Sequence, residues 1–75
     1  MTVKTVLAVG SSYYFILTML PLFSGELKSN DAVKMVFNGF DESLTEAIRI
    51  AAKSNGFSAE FNINLKPPYI LFTRL

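Results

Sequence analysis

At 75 residues the chain has room for one domain and no more, and so short a chain buries only about 60% of its unfolded surface. The absence of both cysteine and histidine excludes a disulfide framework, a thiolate metal site and imidazole chemistry. A net charge of +1 points away from a nucleic-acid binder or an acidic interaction tail.

Residues 5–25 carry no charge at all, and three readings of this stretch compete. The preferred one pairs residues 3–9 and 13–20 as two strands joined at Gly10-Ser11-Ser12, a glycine-containing hairpin turn. In the second, residues 3–9 are a strand and Ser12 caps a helix. Its apolar face would be Phe15, Ile16, Met19, Leu20 and Phe23, with Pro21 an awkward interior residue. In the third, residues 5–25 form a membrane segment or an export signal, diluted by Gly10, Ser11, Ser12 and Pro21 and lacking a good cleavage site. A chain starting at Met1 weighs against a removed leader.

Residues 24–31 (SGELKSND) form the one long polar, turn-rich run and read as a connecting loop. Residues 32–37 (AVKMVF) read as a strand ending at the turn pair Asn38-Gly39. A helix follows. Asp41 or Ser43 serves as N-cap, and Ser43 with Glu46 has capping-box spacing. Asp41, Glu42 and Glu46 sit near the positive end of the helix dipole, with Arg49 and Lys53 towards the negative end. Leu44, Ala47, Ile48 and Ala51 make the apolar stripe, and Asn55-Gly56 supplies the stop.

From Phe57 to Lys66 the apolar residues Phe57, Ala59, Phe61, Ile63 and Leu65 alternate with polar ones without a miss. Such a period of two predicts a strand with one face on a core and one face in water. Pro67-Pro68 interrupts the ladder, and residues 69–75 (YILFTRL) read as a last strand.

The expected architecture is a single α+β domain over residues 1–75. It has one small antiparallel or mixed sheet of four to five strands with one helix on a face, in the order β-β-β-α-β-β. The next order considered is β-α-β-α-β-β. Either 32–37 or 69–75 is expected to be an edge, a natural template for pairing with another chain.

Chemistry is scarce. No side chain titrates unperturbed near neutral pH, and the acids Glu26, Asp31, Asp41, Glu42, Glu46 and Glu60 are too scattered for a carboxylate metal site. The one acidic cluster is already explained by helix capping. Gly10-Ser11-Ser12 lacks the spacing of a phosphate-cradling loop and reads as a plain turn. The cations are spread evenly rather than interleaved with aromatics. No enzyme activity, metal or cofactor is therefore expected.

Hydrophobic residues make up 51% of the chain and charged residues 17%, against about 25% charged in ordinary soluble domains. A small body so rich in apolar side chains must expose some of them, and exposed apolar patches tend to be interfaces. The expectation is a protein-interaction domain, acting as a homo-oligomer or docking on a larger protein, with candidate interface residues Tyr13, Tyr14, Phe15, Tyr69, Leu71 and Arg74. A cytoplasmic setting is expected, and the small accessory and inhibitor proteins of phages and mobile elements have this size and this lack of chemistry. The alternative is a membrane-associated or exported protein held by residues 5–25. A weak sheet-face nucleic-acid binder is the third reading.

Overall fold

The computed structural model describes residues 2–75. Its elements run β1 (Val3–Leu7), α1 (Ser12–Glu26), β2 (Ala32–Val36), a 3-10 turn (Glu42–Leu44) leading into α2 (Thr45–Ser54), β3 (Phe57–Asn62) and β4 (Tyr69–Arg74). The fold is α+β: one four-stranded mixed sheet in the order β1-β2-β4-β3, with both helices on the same face. β1 runs parallel to β2, while β4 is antiparallel to both β2 and β3.

The preferred hairpin is corrected, and with it the order β-β-β-α-β-β and the single helix. The chain is β-α-β-α-β-β, because residues 13–20 belong to a helix. Gly10 turns the backbone at φ +74°, a conformation open to glycine, and Ser11 stays extended as the N-cap. The Phe15 N–H then donates to the Ser11 carbonyl at 3.0 Å, which starts the helical ladder. Ile16, Leu20 and Phe23 repeat at helical spacing and are buried against the sheet. Pro21 lies inside α1 but on its exposed side, where the carbonyl it leaves unbonded can meet water. The helix has 15 residues, a length of about 22 Å where a bilayer core needs about 30 Å. Among the described residues no helix is long and apolar enough to cross a membrane.

The second helix forms largely where its pattern puts it. Asp41 accepts from the Ser43 N–H at 2.9 Å and from the Ser43 hydroxyl at 2.7 Å, opening the 3-10 turn that feeds α2. Ile48 and Ala52 are its buried residues, with Leu44, Ala47 and Ala51 half-buried beside them. At the far end the Asn55 N–H donates to the Ala51 and Ala52 carbonyls, and Gly56 turns at φ +81°.

Two further expectations are corrected. The alternating strand stops at Asn62 rather than Lys66, because residues 63–68 form the connection that returns the chain as β4. The segments expected at an edge, 32–37 and 69–75, are instead the two central strands, and β1 and β3 are the edges. β4 pairs with β3 as a hairpin and with β2 on its other side, so neither β2 nor β4 keeps a free edge.

The core lies between sheet and helices. Val33, Met35 and Phe37 from β2 and the residue after it, Ile70 and Phe72 from β4, and Phe57 from β3 meet Ile16, Leu20, Phe23, Ile48 and Ala52. Phe57 and Phe72 pack edge to face with centroids 6.4 Å apart.

Candidate functional site

The opposite face of the sheet has no layer over it. Because side chains alternate across a strand, the pairing registers place that face in three rows. Val3, Ala32, Thr73 and Ser58 form the first, Thr5, Lys34, Leu71 and Glu60 the second, and Leu7, Val36, Tyr69 and Asn62 the third. Val3 and Leu7 on edge strand β1 are 52% and 72% exposed, whereas Val36, Leu71 and Tyr69 are half-buried by their neighbours in the sheet. Apolar side chains therefore dominate the side of this face bounded by β1, β2 and β4, and β3 supplies its polar border.

Two opposite charges stand within it. Lys34 and Glu60 flank Leu71 in the middle row, one strand away on either side. Neither joins an ion pair among the described residues, whose pairs are Lys4 with Glu26 and Arg49 with Glu46. The Lys34 ammonium instead lies over the Tyr69 ring, 4.3 Å from its centroid. At the end of β3, Nδ2 of Asn62 is enclosed without a hydrogen-bond partner.

The residues expected from sequence divide between this face and other places. Tyr69 and Leu71 share the open face. Arg74 belongs to the covered side, where its guanidinium donates to the Gly56 carbonyl at 3.1 Å and to the Ser24 carbonyl at 3.4 Å. It also lies 5.9 Å from the centre of the Phe57 ring, so it ties the ends of both helices to the last strand. Tyr13, Tyr14 and Phe15 begin α1. Tyr14 is 70% exposed, its ring edge-on to Tyr13 at 5.9 Å, while Tyr13 and Phe15 pack against the core. Sequence reasoning missed Val3, Leu7, Val36, Lys34 and Glu60 as parts of one surface. The outward positions of β3 were readable from its alternation, but the neighbours that complete the rows follow from the strand order.

Grooves border the sheet. One, of about 390 Å³, is lined by Leu7, Ala8, Val36, Phe37, Asn38 and Pro67 and contains no titratable side chain. Another, of about 260 Å³, lies between α2 and β3 and is lined by Arg49, Lys53, Phe57, Ser58, Ala59 and Leu75. Arg49 there stacks 5.0 Å from the Phe61 ring. Among the described residues no three acidic side chains gather as a metal centre would need.

Two carboxyls titrate below their ordinary range, and both hold the fold. Asp31 is lowered first by the Lys28 N–H and then by the Thr2 N–H, at 3.2 and 3.0 Å. Asp41 is lowered by the hydroxyl and N–H of Ser43. The arrangement offers contact area and two opposite charges on either side of Leu71. No protein-family model, curated protein or solved structure matches this chain.

Proposed function

We propose that this chain is a non-catalytic protein-interaction domain whose working surface is the uncovered face of its sheet. One observation supports this reading above the rest: the apolar residues Leu7, Val36, Tyr69 and Leu71, with Val3 beyond Thr5, carry no second layer. A sheet is stable with one wet face when that face is polar. Here it is polar along β3 and at Thr5, Lys34 and Thr73 only, and apolar area left uncovered in so small a domain is characteristic of an interface. The Lys34–Glu60 pair adds orientation, since charges set register and exclude wrong partners.

Site-specific photocrosslinking in the native cell tests it. A photoreactive phenylalanine at Leu71 is expected to form protein adducts, and one at Ile50, which is 60% exposed on α2, is not. Adducts from Ile50 and none from Leu71 would overturn the reading.

A second reading is supported by α1. It is uncharged between Ser12 and Gly25 and exposes Tyr14, Leu17 and Leu22, which suits contact with a lipid surface. Without lysine or arginine beside that stripe the attraction to anionic lipid is small. Co-sedimentation with neutral vesicles that is lost on Leu22→Asp would favour this reading, and no co-sedimentation would end it.

A further inference from the structure

We infer that the occupant of the uncovered face is a second copy of this chain, seated by a two-fold axis that runs along β4. The inference rests on the reading of that face as an interaction surface and adds its partner and geometry. The middle row carries the argument. Across the sheet the order is Thr5, Lys34, Leu71, Glu60, with strands about 4.8 Å apart. Lys34 and Glu60 are therefore equidistant from Leu71 and opposite in charge.

A two-fold axis lying along β4 exchanges the two sides of that strand. It stacks Leu71 on Leu71 and brings each Lys34 over the Glu60 of the other copy, forming two reciprocal ion pairs around an apolar centre. Tyr69 meets Tyr69 at one end of the axis and Thr73 meets Thr73 at the other. The same operation keeps strand directions aligned, as stacked sheets prefer. A two-fold axis running across the strands through the middle row does the opposite. It places Lys34 on Lys34 and Glu60 on Glu60, an arrangement that like charges oppose. The surface is thus self-complementary in one orientation and self-repelling in the other, as an isologous contact requires.

The size of the contact sets its strength. Three strands overlap, β2, β4 and β3, while β1 of each copy, with Val3 and Leu7, stays outside the contact. At about 4.8 Å between strands and 3.3 Å per residue the overlap is about 14 by 20 Å, or about 300 Å² per partner. A standard interface covers about 800 Å² per partner, so the dimer is expected to be a weak one that exchanges readily.

Sedimentation equilibrium of the purified chain, run up to about 1 mM, tests the inference. Wild type is expected to dimerise, and Lys34→Glu and Glu60→Lys are each expected to weaken the dimer about tenfold or more. The double reversal Lys34→Glu with Glu60→Lys restores the pairing with its sense exchanged, and is expected to return the affinity to within about threefold of wild type. Circular dichroism of each variant establishes that it is folded, and Lys34→Gln separates loss of charge from reversal. A dimer indifferent to both reversals, or a double reversal no better than the singles, would overturn the geometry. A chain that stays monomeric while Leu71 crosslinks to a different protein would overturn the second copy and leave the interaction surface standing. A monomer with no adduct at Leu71 would remove both.

Discussion

Strand β4 turns Ile70 and Phe72 towards the helices and Tyr69, Leu71 and Thr73 away from them, and the two sets are one residue apart along a single backbone. Ile70 and Phe72 are fully buried under α1 and α2. Leu71 is as apolar as either, yet it is only half-buried and its remaining contact must come from elsewhere. At Leu71 it is the absence of a second layer, not the side chain, that sets it apart from Ile70 and Phe72. What separates a core residue from a surface one here is where α1 and α2 lie, so apolar side chains are committed to folding on one face and left available on the other.

The contrast can be broken most directly by truncation. Phe72→Ala is expected to lower the unfolding free energy by about 3–5 kcal/mol, through lost transfer energy and a cavity beneath the helices. Leu71→Ala, measured at low protein concentration, is expected to cost less than about 1 kcal/mol, within the range of substitutions at partly exposed positions. Urea denaturation of the pair checks both values, and equal losses would mean that the open face is part of the fold's core.

The rim of the covered face comes next. Gly56 turns at φ +81°, and a methyl group there would run into the Arg74 guanidinium. Gly56→Ala is expected to cost about 2 kcal/mol from backbone strain alone, read as a lower midpoint of thermal unfolding. On the open face Lys34→Gln removes the ammonium from the Tyr69 ring and is expected to cost about 0.5–1 kcal/mol. The difference should vanish in a Tyr69→Leu background, which a double-mutant cycle would show.

The smallest effect is in pH. Asp31 and Asp41 both have lowered folded-state values, so the unfolded chain takes up their protons first as pH falls. Their stabilisation is complete above the unfolded value, near pH 4, and is lost as pH drops through the folded values. Asp41→Asn is expected to lower stability near neutral pH and to flatten part of the acid-side decline, so that variant and wild type converge at low pH, in melts taken from pH 2 to about 7.

How far the sequence discloses the fold follows from where charge is placed. α2 is legible because polar and apolar residues alternate around it, with acids at its start and Lys53 in its last turn. β3 is legible as far as Asn62 because alternation is a two-residue signal. α1 has no polar face, so its pattern also fits a strand, the reading preferred from sequence, or a membrane segment, and the decision comes from the sheet it packs on. Its own Pro21 argues against the helix on local grounds, and burial of Ile16, Leu20 and Phe23 outweighs that. The candidate surface is legible only in fragments. Tyr69 and Leu71 could be named from a final apolar run, but Val3, Leu7, Lys34 and Glu60 join them through pairings between strands far apart in the chain.

The position of β4 between β2 and β3 also has a bearing on how the chain is made. Synthesis proceeds from β1 onward, and β3 has no partner other than β4. Until residue 74 has left the ribosome, β1 and β2 have only each other to pair with and β3 has no partner strand. Folding is therefore expected to be abrupt once β4 is free to pair, with no stable half-sheet for a protease or chaperone to meet as an intermediate. A chain halted at Pro68 should show the circular dichroism of an unstructured polypeptide, and should regain the fold when a peptide of residues 69–75 is supplied in trans.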